Sequence, residues 1–185
     1  MVALTLFVGI DPGKQGGVAV IDQYGQRLQS REMPVTPSGD IDACKLRELL
    51  TFTRDEGLDV FVCIEKSQAM PGQGVVAVFN YGVGFGRLQA VVEILGLRHT
   101  YVRPQQWKRE FGLLIPKQPR IAGETKKEKG VRLNAKKRGA KRSSVALATE
   151  LFTHFDDRTP RGRLKDGEAE ALLIAEYGRR MAVPE

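Results

Sequence analysis

Three strand-like segments fall within the first 33 residues with only tight turns between them, and that spacing leaves few folds open. Leu4 to Ile10 reads as a central strand, Gly17 to Asp22 as a second and Arg27 to Met33 as a third. The turns are Pro12-Gly13-Lys14-Gln15-Gly16 and Gln23-Tyr24-Gly25. Links this short join antiparallel neighbours. Ile41 to Arg54 then carries apolar residues at helical spacing, Gly57 ends it, and Asp59 to Ile64 reads as a fourth strand. Such a helix supplies the crossover that a parallel pairing requires. Met70-Pro71-Gly72-Gln73-Gly74 leads into a helical pattern from Val75 to Leu95 that contains Gly82, Gly84 and Gly86. His99 to Val102 is a fifth strand, and Gln105 to Phe111 a short helix whose Trp107 is expected to pack onto the sheet. Ser143 is expected to cap an amphipathic helix, and the last helix to run from about Asp166 to Met181.

The order βββαβαβαα predicts an α/β chain of one domain over residues 1–185. Its sheet has five strands, with 1–3 antiparallel and 1, 4 and 5 parallel, flanked by helices. A basic insertion or flexible arm is expected at about 114–142. The 42% hydrophobic content suits one buried core. Cys44 and Cys63 have no metal-ligand spacing, so a reducing cytosol is the expected setting. No unbroken apolar run approaches the roughly 20 residues of a membrane helix, which sets the bilayer aside.

Acids close the apolar segments. Asp11 follows the first strand, Glu65 follows the fourth, and Asp166 and Glu170 open the last helix. Ligands bind beyond the carboxyl ends of parallel strands in such sheets, and neighbouring strands lie about 4.8 Å apart, so Asp11 and Glu65 are placed to share a cation. At about 100° per residue, Asp166 and Glu170 lie roughly 40° apart on the face of Leu173, Ile174 and Tyr177. Glu168 falls about 160° away, which predicts a solvent residue or at most an outer helper. Grouped like charges need neutralising, and all-oxygen donors suit Mg²⁺ or Mn²⁺. Asp166 could instead cap the helix, Asp11 could serve its turn, and Glu65 could pair on the surface with Lys66. His99 and His154 pair with none of these acids.

The net charge is +7, unevenly spread: Arg103 to Arg142 holds 14 Lys or Arg against three Glu. The remainder of the chain is therefore acidic. A basic stretch between the second and third acidic positions predicts a grip on nucleic-acid phosphates. The expected contacts are Lys108, Arg109, Lys117, Arg120, Lys126, Lys127, Lys129, Lys136, Lys137, Arg138, Lys141 and Arg142. Phe79, Tyr81 and Phe85 suit a core or interface, with Phe79 the candidate for stacking on a base.

Gly9-Ile10-Asp11-Pro12-Gly13, Ile64-Glu65-Lys66 and Asp166-Gly167-Glu168-Ala169-Glu170-Ala171-Leu172-Leu173-Ile174-Ala175 resemble the RuvC-like Holliday-junction resolvases of the RNase H-like superfamily. Ala69-Met70-Pro71-Gly72-Gln73-Gly74 and Val102-Arg103-Pro104-Gln105-Gln106-Trp107-Lys108 are similar to its bacteriophage branch. The resemblance implies an RNase H-like fold and a homodimeric endonuclease that cuts opposed strands of a four-way DNA junction, leaving 5′-phosphates. Asp11, Glu65, Asp166 and Glu170 would be catalytic ligands to two Mg²⁺ or Mn²⁺ ions, with Asp11 between them. The resemblance also implies a role for Phe79 near the opened junction centre. Cellular members usually carry two aspartates three apart where this chain has Asp166 and Glu170, four apart.

Three other readings stay open. Gly-Ile-Asp-Pro-Gly-Lys is also similar to the phosphate loop of sugar-kinase and chaperone-type ATPases, but those need a second lobe. A fold that grips branched DNA without cutting it would keep the basic stretch alone. A nuclease for other nucleic-acid substrates would share the acids.

Overall fold

The computed structural model describes residues 4–51, 58–66, 68, 72–116 and 121–182. Five strands form one sheet: β1 (Thr5–Asp11), β2 (Gly17–Asp22), β3 (Arg27–Glu32), β4 (Asp59–Glu65) and β5 (Arg98–Val102), in the order β3-β2-β1-β4-β5. β1 pairs antiparallel with β2, and β2 with β3; β1 pairs parallel with β4, and β4 with β5. The expected mixed sheet is therefore present. Its helices are α1 (Ala43–Thr51), α2 (Val75–Ile94), α3 (Pro104–Glu110), α4 (Lys126–Leu151) and α5 (Asp166–Met181).

The two-residue repeat of a strand sorts β1 and β4 between two cores. Leu6, Val8 and Ile10 join Val60, Val62 and Ile64 in a cluster that includes Leu46 and Leu50 of α1 and Leu88, Val91 and Val92 of α2. Phe7 and Cys63 face the other way, with Trp107 of α3, Val145 and Ala148 of α4, and Leu172 to Ala175 of α5. Asp11 and Glu65 continue the odd-numbered series, so both acids belong to the α5 side. Glycine sets how closely α5 approaches. A Cβ on Gly9 would lie 2.0 Å from the Ala171 carbonyl oxygen and 2.3 Å from the Ala175 nitrogen, so the helix backbone rests directly on β1.

Three elements differ from expectation. The helix expected to be capped by Ser143 is capped 18 residues earlier, by Thr125, and starts at Lys126. Thr125 caps it: its hydroxyl accepts from the Glu128 N–H, and the Glu128 carboxylate returns to the Thr125 N–H. That reciprocal cap, together with a run of good helix formers, carries the basic stretch into the helix despite its charge. Ser143 and Ser144 are interior residues whose hydroxyls donate to the Gly139 and Ala140 carbonyls. The expected short helix is present as α3, so three helices follow β5 where the element order counted two.

Glu168 is the second difference: it is 6% exposed, and Ser30 of β3 donates to its Oε2 at 2.9 Å. The helical wheel missed this because α5 is wrapped rather than docked on one face, with ten of its sixteen residues buried. The third is α2, whose 20 residues have a mean hydropathy of 1.3 over an 18-residue window, long and apolar enough by composition to cross a membrane. Its glycines and scattered polar residues break up any continuous run, which hid this property. Leu88, Val91 and Val92 seat its second half against the sheet and α1, while Val75, Val76, Phe79 and Val83 stay exposed. Cys44 and Cys63 are free thiols, and burial pushes Cys63 up to about 12.

Candidate metal centre

Parallel register brings the first two acids together. Ile10 pairs with Ile64, so Asp11 and Glu65 end neighbouring strands side by side. α5 lies across those ends because Gly17 and Gly167 lack side chains: a Cβ on Gly167 would sit 2.2 Å from the Gln15 carbonyl oxygen. This contact fixes the first turn of α5 against the loop that follows Asp11. Glu170, one turn further on, completes a group of three coupled carboxylates.

Electrostatics report that closeness. Burial raises the Asp11 carboxyl to about 7, and the charges of Glu65 and Glu170 push the same way; the Gly13 N–H and the Lys108 ammonium partly oppose them. Glu65 is also raised, by burial first and by Glu170 last, against the Trp107 hydrogen bond and Lys108. Each acid has its own partner. The Gly13 N–H donates to Asp11 Oδ1 at 3.4 Å, and the Trp107 indole N–H to Glu65 Oε2 at 2.8 Å. Glu170 Oε1 accepts from Lys108 Nζ at 3.2 Å and from the Ser144 hydroxyl at 3.1 Å.

Asp166 stands apart from this group. It is the first residue of α5, whose N-cap is Lys165, and it is paired with Lys141 of α4. Among the described residues, no three Asp, Glu, His or Cys side chains converge closely enough to hold a metal ion as they stand. Lys108 supplies the positive charge in the middle of Asp11, Glu65 and Glu170 instead. The donor chemistry still fits a hard divalent cation: every candidate ligand is a carboxylate oxygen, and Asp11 carries charge that one ammonium leaves poorly compensated.

The basic residues lead to this centre. Along α4, at about 100° per residue, Lys126, Lys127, Lys137 and Arg138 fall within roughly 60° of Lys141. Lys141, at the foot of that stripe, reaches Asp166. Lys129 and Arg142 are exposed off the stripe, as is Arg109 on α3. Lys136 turns aside to donate to the Pro116 carbonyl at 2.9 Å. Lys117, Arg120 and Ala69 to Pro71 lie outside the described residues. Phe79 is 69% exposed on the first half of α2, next to the exposed Val75 and Val76. Tyr81 and Phe85 stack on each other, and Phe85 leans on Tyr101.

Solved structures match this fold across nearly the whole chain. Thermus thermophilus RuvC in complex with a Holliday junction substrate superimposes with a TM-score of 0.56 at 14% identity, covering 97% of this chain and 96% of that one. Another Thermus thermophilus RuvC structure gives 0.52 at 17% identity, covering 96% of each chain. The chain has the RuvC fold. No family model matches the sequence, and no curated protein is similar to it. At these identities the RuvC likeness speaks for the fold, an RNase H-like mixed sheet flanked by helices.

The sequence had marked Asp11, Glu65 and Glu170, and the structure couples the charges of these three without closing them into a metal-holding cluster. It had not marked Ser144, which needs the phase of α4 to be known. Nor had it marked the bond from Trp107 to Glu65; Trp107 is buried at the sheet as expected, but its nitrogen has a polar role as well. Lys108, expected on phosphates, contacts Glu170.

Proposed function

We propose that this chain is a metal-dependent, structure-selective endonuclease that resolves four-way and other branched DNA by paired phosphodiester hydrolysis, as a homodimer of the bacteriophage-type branch of RuvC-like resolvases. The observation that carries the reading is the coupled group of Asp11, Glu65 and Glu170 at the foot of the α4 lysine stripe. Support comes from the solved neighbour described as RuvC with a Holliday junction substrate. The branch rests on the sequence at 69–74 and 102–108.

Asp11, Glu65 and Glu170, with Asp166 at the rim, would hold Mg²⁺ or Mn²⁺. Such ions, when bound, activate water and neutralise charge at the leaving 3′ oxygen. The chain's own residues do the rest. The α4 stripe seats the DNA backbone, and its lysines and arginines make the binding steeply salt-dependent. Lys108 and Lys141, paired with Glu170 and Asp166, would be released to phosphate oxygens where those carboxylates hold metal instead. Two opposed cuts need two centres, and the exposed apolar residues of α2, Val75, Val76, Phe79 and Val83, offer a face to a second copy.

Labelled four-way, three-way and linear DNA incubated with Mg²⁺ or with a chelator tests this. Symmetric, Mg²⁺-dependent incision of the four-way junction is expected, with linear duplex intact. Equal cutting of all three would replace branched DNA with a general substrate. A second reading has its own observation: Lys108 and Lys141 already neutralise two of the acids, as they would in a module that only binds DNA. Tight junction binding with no incision at any Mg²⁺ or Mn²⁺ concentration would select it. Phe79→Ala should also lower the fluorescence rise of a 2-aminopurine at the junction exchange point; an unchanged rise would leave Phe79 to the dimer face.

A further inference from the structure

The chain has a single tryptophan, and its place is unusual for a residue that only fills space. Trp107 is wholly buried, yet its one polar atom is spent on Glu65 Oε2, at 2.8 Å. Among the described residues no other hydrogen bond reaches the Glu65 side chain. The face of the same ring carries the Lys108 ammonium 4.7 Å from its centroid, and that ammonium is bonded to Glu170. The indole thus bonds one coupled acid directly, Glu65 by its edge, while the lysine over its face answers to Glu170. The donor type also matters. An indole N–H is neutral, donates only one bond and accepts none, so it fixes a carboxylate without competing for a cation as an ammonium would.

We propose that Trp107 is a positioning residue of the acid centre: its N–H holds Glu65 Oε2 so that Oε1 is presented, already oriented, to the divalent cation. The proposal rests on the metal-dependent reading above and deepens it. Partners that orient metal ligands in this way set affinity, and losing one typically costs 10- to 100-fold. Trp107→Phe keeps an aromatic ring in the core and removes the donor together with part of the indole's volume. The variant should need more metal while approaching wild-type turnover at saturating Mn²⁺, a loss of affinity with little loss of kcat.

Two measurements test it. In ¹⁵N-labelled protein the single indole gives a single N–H cross-peak, which should move upfield in Glu65→Gln; an unmoved peak would overturn the contact whether or not metal binds. Mn²⁺ affinity, read by electron paramagnetic resonance without DNA, is then compared in wild type, Trp107→Phe, Glu65→Gln and the double variant. Trp107→Phe should weaken Mn²⁺ by about tenfold in the Glu65 background. In the Glu65→Gln background it should weaken Mn²⁺ by no more than about twofold, because the residue acts through Glu65. Equal losses in both backgrounds, or none in either, would overturn the proposal and leave the metal reading standing. Failure of the wild type itself to bind Mn²⁺ would overturn both.

Discussion

Asp11→Asn should abolish incision, by at least about 10³-fold in rate, and at the same time make the metal-free protein more stable at pH 8. The first effect follows from losing the carboxylate at the centre of the group. The second is less usual and follows from burial. Folded, Asp11 keeps its proton up to about 7, against an ordinary value of 3.8. Between those values the folded state binds a proton that the unfolded state has released, so stability falls as pH rises through that window and stays low above it. Asparagine is neutral throughout. The variant should therefore resemble wild type near pH 4 and exceed it by about 2–4 kcal/mol above pH 7. Urea unfolding in chelator at pH 4.5 and pH 8 measures this directly. A variant less stable than wild type at pH 8 would show that the Asp11 charge is already satisfied by its protein neighbours.

Gly9→Ala should produce the largest loss of stability of any single-methyl change in the sheet. The added carbon would lie 2.0 Å from a backbone oxygen and 2.3 Å from a backbone nitrogen of α5, and neither can turn aside as a side-chain end could. α5 would have to lift from β1, taking Glu170 away from Asp11. Overpacking of this kind costs about 3 kcal/mol or more, which lowers Tm by roughly 6–12 °C in a chain of this size. Incision should fall even below the new Tm, because the geometry of the acids fails before the fold does. Calorimetry with an incision assay at low temperature separates the two. A Tm within a degree of wild type would mean that α5 does not seat on β1 as described. Ala19, also buried and beside Gly9 in the sheet, serves as the control position: Ala19→Gly removes a methyl and should leave Glu170 in place.

The parts of this site legible in the sequence are those fixed by local periodicity. Strand alternation places Asp11 and Glu65 on one side of two apolar runs, and short turns fix which strands are antiparallel. The helical repeat brings Glu170 to the buried side of α5. Long-range docking decides the remainder. Whether Asp166 joins the other acids depends on Lys141, 25 positions earlier, and so on where α4 lies; the structure pairs the two. Glu168 is buried because β3 closes over a side of α5 that the wheel assigned to solvent. The early start of α4 was legible in principle, since Thr125-Lys126-Lys127-Glu128 has the spacing of a reciprocal cap, but the charge density of the segment favoured reading it as an arm. Trp107 was placed correctly as a packing residue, while its polar bond awaited the position of β4 relative to α3.

The most direct measurement is anomalous diffraction from crystals of the protein bound to a non-cleavable four-way junction and soaked in Mn²⁺. The account predicts a Mn²⁺ peak bonded to oxygens of Asp11, Glu65 and Glu170, with Lys108 moved from Glu170 onto a phosphate. Glu170 still bonded to Lys108, with no peak between Asp11 and Glu65, would contradict it.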